Sequence, residues 1–108
     1  MDARLALDGE GRFLAAQCRF TCDMGAYVTP TGAVSHLRNP ATCLTGVYRI
    51  PALHGSFRVV LTNTVPVAAY RGAGRPDVAY IVERLVDQAA SELGIDRVAL
   101  RRRNFIAP

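Results

Sequence analysis

The sequence predicts an α+β fold: a small antiparallel sheet, made of a hairpin plus a later strand, covered by C-terminal helices. Three observations carry this prediction. Asp8-Gly9 separates two apolar runs near the N-terminus, a strong short-range hairpin signal. A run rich in valine and threonine alternates over residues 55–66, which favours a strand over a helix. An apolar stripe at helical spacing then runs from Val78 to Leu93, as a helix covering a core requires. Strands first and helices last is the α+β order.

Length and composition set the frame. The chain has 108 residues, enough for one domain spanning residues 1–108. Half of it is apolar, a fifth is charged and the net charge is +4. Disorder needs fewer apolar residues, and a disulfide scaffold needs more cysteine. No apolar run approaches the ~20 residues of a membrane span, and residues 1–8 carry no signal-peptide core. The chain is therefore read as cytoplasmic, without a membrane partner. All 13 basic residues are arginine, a bias that equally fits the codon usage of a GC-rich genome. They are dispersed apart from Arg101-Arg102-Arg103, which reads as a solvated helix end, so no nucleic-acid partner is assigned. Cys18, Cys22 and Cys43 are read as free thiols. On one strand face Cys18 and Cys22 lie roughly 13 Å apart and cannot bridge. His36 and His54 have no cysteine at ligand spacing, so no metal site is assigned.

Each element has its own local signal. Residues 4–7 and 12–23 form the hairpin arms. From Ala16 on, Ala16, Cys18, Phe20 and Cys22 point to one face and Gln17, Arg19, Thr21 and Asp23 to the other. Residues 24–27 continue the strand past a bulge. Thr31-Gly32 reads as a turn. Residues 33–38 open a helix that Asn39-Pro40 interrupts, residues 42–44 make another helical turn, and residues 47–51 read as extended. In the second strand Phe57, Val59 and Leu61 alternate with Arg58, Val60 and Thr62. Pro76 fits the first helical position and Asp77 favours the N-terminal end of the macrodipole. Val78, Ile81, Val82, Leu85, Val86, Ala89 and Leu93 form the stripe, and Gly94 is a left-handed stop. Asp96 caps a second helix to about Arg103, with Ile95 and Leu100 spaced as a hydrophobic staple. Residues 104–108 trail out. The helix face (Val78, Val82, Leu85, Val86, Ala89) is expected to cover the sheet face (Ala16, Cys18, Phe20, Cys22).

The loop between the second strand and the long helix carries the sharpest signal. In Ala69-Tyr70-Arg71-Gly72-Ala73-Gly74-Arg75-Pro76-Asp77, two glycines permit positive φ or close approach, and the loop ends where a helix presents unpaired N–H groups. Two arginines flank it, completing a cradle for a negatively charged ligand. A dinucleotide fingerprint is excluded because Asp77 stands where a third glycine is needed. A Walker loop is excluded because the chain has no lysine. On the residues alone, an ordinary strand-to-helix turn is the preferred reading of the loop, ahead of a ligand cradle.

Residues 62–76, Thr62-Asn63-Thr64-Val65-Pro66-Val67-Ala68-Ala69-Tyr70-Arg71-Gly72-Ala73-Gly74-Arg75-Pro76, together with Glu83-Arg84-Leu85-Val86-Asp87, Glu92-Leu93-Gly94-Ile95-Asp96 and Leu100-Arg101-Arg102-Arg103-Asn104-Phe105-Ile106, resemble the molybdopterin-binding large subunit of the xanthine dehydrogenase family, which includes aldehyde oxidases and aerobic carbon monoxide dehydrogenases. Gly11-Arg12-Phe13-Leu14-Ala15 and Asp23-Met24-Gly25-Ala26-Tyr27 extend the resemblance over nearly the whole chain. The family's subunit is several times longer, so the resemblance implies an internal fragment. It implies hydroxylation of an electron-poor carbon at a molybdenum–molybdopterin cofactor, with iron–sulfur clusters and FAD on partner subunits. It places Tyr70, Arg71, Gly72, Ala73 and Gly74 at the cofactor.

Two departures from the family pattern narrow this. Xanthine oxidases carry an aromatic between the glycines, where Ala73 stands, so stacking on a purine is lost. Carbon monoxide dehydrogenases carry a copper-binding cysteine after the loop arginine, where Gly72 stands, so that site is absent. An aldehyde or N-heterocycle substrate remains. The family's glutamate base lies downstream, and none of Glu10, Glu83 and Glu92 matches it; Glu83 and Glu92 fall at exposed-face spacing. No catalytic residue is therefore assigned, and the chain alone is expected to be inactive. The implied partners are the remaining large-subunit segments, the iron–sulfur and flavin subunits, and a second copy in a homodimer. A non-catalytic binding or assembly module of the same fold is the alternative.

Overall fold

Asp8 closes the first hairpin. Its Oδ1 accepts from the backbone N–H of Glu10 at 2.9 Å and of Arg12 at 2.8 Å, and Gly11 donates to its carbonyl at 3.0 Å. This turn joins β1 (Asp2–Leu7) to β2 (Phe13–Asp23). The antiparallel register runs from Asp2↔Arg19 to Ala6↔Ala15 and then shifts, so that Leu7 opposes Phe13. The shift explains why Phe13 and Ala16, of opposite parity, are both buried. Beyond it the alternation of Ala16, Cys18, Phe20 and Cys22 against Arg19, Thr21 and Asp23 holds. The computed structural model describes residues 1–107.

The third strand corrects the expected sheet. β3 (Ala52–Val60) lies beside β2 in the order β1-β2-β3, but its pairing is parallel, from Ala15↔Ala52 to Asp23↔Val60. The sheet is therefore mixed within the α+β class. A parallel neighbour needs a crossover of a dozen or more residues, and the chain supplies one. Thr29 caps a helical stretch made of α1 (Pro30–Ala33), a π-helical turn (Val34–Arg38) and α2 (Asn39–Cys43). Neither the turn at Thr31-Gly32 nor the break at Asn39-Pro40 occurs. Proline in a helix lacks an N–H and collides with the carbonyl four residues back. Widening to the π form absorbs it: Asn39 N–H reaches back to the Val34 carbonyl. The His36 carbonyl, the one an amide at position 40 would have met, accepts from Cys22 Sγ at 3.5 Å.

Two further expectations change. The strand at 55–66 begins earlier and ends at Val60. Beyond Asp23 and Val60 the segments that follow β2 and β3 stay together through irregular hydrogen bonds, Met24 N–H to Val60 O and Ala26 N–H to Thr64 O, each 3.0 Å. Residues 24–27 are thus not a continued strand. The extended reading of 47–51 is met only at Tyr48, which bridges Phe105, while Val47 ends a turn.

α3 (Arg75–Leu93) and α4 (Arg97–Asn104) close the chain. Gly94 ends α3 at φ 64°. Asp96 caps α4 by accepting from the N–H groups of Val98 and Ala99. Val78, Val82, Val86, Ala89 and Ala90 of α3 pack with Phe13, Cys18, Leu44, Tyr48 and Leu100, with Phe20 and Phe57 alongside. Ala16 and Cys22 are buried but stand outside that cluster, so the helix covers the middle of the sheet and the crossover covers its Cys22 end. Leu85 is only half-buried and Leu93 is 45% exposed, so the stripe is narrower than its sequence spacing.

α4 does not trail out. Asn104 is 4% exposed. Its Oδ1 accepts from Phe13 N–H at 2.8 Å, and its Nδ2 donates to the carbonyls of Gly11 and Leu100 at 2.9 Å. Its own carbonyl accepts from Arg49 N–H at 2.9 Å. One side chain thus locks the C-terminal helix to the start of β2. Pro108 lies outside the described residues.

Candidate cofactor-facing loop

Residues 70–74 form a tight turn at the N-terminal end of α3. Ala73 N–H donates to Tyr70 O at 2.8 Å and Arg75 N–H to Gly72 O at 3.1 Å. Three consecutive residues take positive φ: Gly72 at 95°, Ala73 at 46° and Gly74 at 85°. Ala73 is the one non-glycine residue with positive φ among those described, a conformation that L side chains resist. A Cβ on Gly74 would stand 1.9 Å from the Ser35 carbonyl oxygen. Glycine is obligatory there for close approach as well as for φ.

The turn is neither buried in the core nor drawn into the sheet. Tyr70 is 88% exposed, Arg71 is exposed, and Gly72, Ala73 and Gly74 are half-buried. Among the described residues the N–H groups of Gly72 and Gly74 have no hydrogen-bond acceptor. A concavity of about 250 Å³ lies between the turn and the π-helical segment, lined by His36, Tyr70, Arg71, Ala73, Gly74 and Asp77, among others. Unpaired amides, a guanidinium and a helix N-terminus together favour an oxygen-rich anionic group. A group with phosphate and metal-oxygen functions fits this donor set. Of the five residues singled out in the sequence, Tyr70, Arg71, Ala73 and Gly74 line this concavity, and Gly72 stands in the same turn outside its lining.

Several residues that shape this rim carried no chemical signal in the sequence. Thr29 Oγ1 donates to the Val67 carbonyl, Ala69 N–H donates to Thr31 Oγ1 at 3.3 Å, and Asn39 Nδ2 donates to the Ala73 carbonyl at 2.9 Å. His36 lines the concavity, and its buried Nδ1 has no partner among the described residues. The Thr29-Pro30 pair, a cap followed by proline at the first helical position, was the available clue.

Elsewhere the acidic groups are committed. Glu83 is not on an open face: Tyr48 Oη donates to its Oε1 at 2.7 Å, and Arg101 Nε donates to its Oε2 at 2.9 Å. Arg101 also reaches Asp87 at 2.9 Å, with its side chain 22% exposed, so the expected solvated helix end begins only at Arg102. Burial pushes the Tyr48 hydroxyl up to about 12, with Glu83 adding to the shift. Burial works against the Arg101 charge, but Glu83 and Asp87 outweigh it and hold the pKa above its ordinary value. Burial likewise raises the thiols of Cys18 and Cys22, which makes them structural rather than reactive.

This arrangement defines a class: an α+β unit that exposes a left-handed glycine turn at the entrance of its long helix. Within that class the chain belongs to the molybdopterin cofactor-binding domain family, whose model matches residues 1–105. It is 38% identical to the 6-hydroxypseudooxynicotine dehydrogenase complex subunit gamma of Paenarthrobacter nicotinovorans, over 94% of this chain and 13% of that relative. It is 34% identical to the aldehyde oxidoreductase of Megalodesulfovibrio gigas, over all of this chain and 12% of that protein. The fold superposes on the quinoline 2-oxidoreductase of Pseudomonas putida 86 with a TM-score of 0.91 at 38% identity, over 98% of this chain and 14% of that one. The chain thus spans a small fraction of each relative. No helix among the described residues is long and apolar enough to cross a membrane.

Proposed function

We propose that this chain is one portion of the large subunit of a molybdenum hydroxylase of the xanthine dehydrogenase and aldehyde oxidase type. It supplies one wall of the active site for hydroxylation of an aldehyde or an N-heterocycle. The observation that carries this reading is the exposed 70–74 turn, whose Gly72 and Gly74 N–H groups have no acceptor among the described residues, beside a concavity lined by Tyr70, Arg71, Ala73 and Gly74. When bound, the molybdenum–molybdopterin cofactor supplies oxygen transfer from water and accepts the electrons. The part of this chain is to bind and orient. Gly72 and Gly74 N–H groups donate to oxygens at the site, as oriented amides do for developing negative charge. Arg71 adds a positive charge at the rim. Ala73 leaves open the space that an aromatic would fill.

None of the chain's glutamates stands at the turn. Glu83 is held by Tyr48 and Arg101, Glu92 accepts from Gln88, and Glu10 lies in the hairpin turn. A base must reach the proton it takes, so turnover requires the remaining large-subunit segments, and electron exit requires iron–sulfur and flavin subunits. The shape agrees. The radius of gyration is 15.5 Å, against about 13 Å for a self-contained globule of this length. Leu53, Val59 and Leu61, on and just past β3, are 39–59% exposed. Such a surface calls for cover by the remaining subunit or, in the isolated chain, by a second copy.

The test is an assay of aldehyde and N-heterocycle hydroxylation. The purified chain supplied with molybdenum cofactor gives no turnover, whereas a complete large subunit containing this segment, assembled with its iron–sulfur and flavin subunits, does. Turnover by the chain alone overturns the reading. A non-catalytic module of the same fold predicts no turnover from either.

A further inference from the structure

We infer that Asn39 is a positioning residue that holds the 70–74 turn in its left-handed form and thereby aims the Gly72 and Gly74 amides. Among the described residues the turn receives no hydrogen bond from the sheet. It and the irregular segment leading into it are pinned from the crossover helix and its cap at three points, Thr29 to Val67, Thr31 to Ala69 and Asn39 to Ala73. The first two hold the approach, and only Asn39 reaches the residues that take positive φ. Asn39 is 8% exposed, and its Nδ2 donates to the carbonyl of Ala73, the residue whose φ of 46° is least tolerable to its own side chain. Asn39 itself stands at the junction of the π-helical turn and α2, where its N–H bonds to the Val34 carbonyl. The extra residue of a π turn rotates the downstream residues relative to a regular helix. That rotation, which Pro40 imposes, directs the Asn39 amide toward the turn. The proline and the π turn are thus the device that places the clamp.

The functional consequence rests on the proposed role of the turn, but the clamp does not, and its test reads the turn directly. Asn39→Asp keeps the size and replaces the donor by an acceptor. At about pH 8 the carboxylate repels the Ala73 carbonyl. The Gly72 and Gly74 amide resonances are then displaced, and the Ala73 and Arg75 N–H groups exchange about tenfold faster, while β2 and α3 amides stay as in the native chain. At about pH 3, below the ordinary Asp value of about 3.9, the carboxyl holds a proton and becomes a donor, and the turn matches the resonances of the native chain at the same pH. Unmoved Gly72 and Gly74 amides at pH 8 overturn the inference, as does a displacement that low pH does not reverse. If the variant fails to fold, the native chain decides: one Asn39 side-chain amide proton is protected from exchange, and free exchange of both overturns the clamp. A loop that proves remote from any cofactor would leave these results untouched.

Discussion

Gly74→Ala tests whether the turn is held by close approach or merely by glycine's backbone freedom. Two costs are separable. Gly74 sits at φ 85°, so any side chain pays about 1–2 kcal/mol for the left-handed region. Its Cβ would also stand 1.9 Å from the Ser35 carbonyl oxygen and 3.0 Å from Pro40 Cγ. No real contact persists at 1.9 Å, so the turn or the π-helical segment must shift, at about 1–3 kcal/mol for overpacking. Gly46 provides the control: it takes φ 55° with nothing within 4 Å of its Cβ position. Gly46→Ala therefore costs only the backbone part, about 1–2 kcal/mol, and Gly74→Ala costs about 2–5 kcal/mol. Urea unfolding of both variants measures the difference, and hydrogen exchange at Ala73 and Arg75 locates it. Equal destabilisation of the two variants, with the 70–74 amides unmoved, would refute the packing of the turn on the helix.

Asn104→Ala strands Phe13 N–H and the Gly11 carbonyl, both in buried residues; at about 1–3 kcal/mol per orphaned group, a loss of about 2–6 kcal/mol in urea unfolding is expected, and a loss below about 1 kcal/mol contradicts that role. Tyr48 sets an alkaline limit. Its hydroxyl ionises near 10 in the unfolded chain but at about 12 in the folded one, so stability is full below pH 10 and falls as pH rises from about 10 to 12, by on the order of 2 kcal/mol. Tyr48→Phe flattens that part of the pH profile, and an unchanged slope in the variant sinks the assignment.

Much of this is legible in the residues themselves. The Asp8 turn, the Gly94 stop, the Asp96 cap and the Cys18 and Phe20 face each obey a local rule with a single dominant cause. So does the 70–74 turn, where the bunching of glycine before Pro76 leaves few other conformations. The features hidden from the sequence are decided by tertiary partners. Pro40 reads as a helix breaker, yet a π turn and a Cys22 thiol accommodate it. Missing that one helix also loses the crossover and makes the third strand look antiparallel. Asn104 and Arg101 sit where composition suggests a frayed, solvated end, and only the approach of Phe13, Tyr48 and Glu83 turns them into anchors. Asn39 has no signal at all, because its partner lies 34 residues away.

The most direct measurement is a crystal structure of a complete large subunit containing this segment, with its cofactor bound. The backbone nitrogens of Gly72 and Gly74 are predicted to lie within about 3 Å of the cofactor's oxygens or the metal's oxygen ligands, with the turn unchanged from its left-handed form. A cofactor seated over another face of the chain, leaving those two amides in solvent or bonded to protein, would contradict the account.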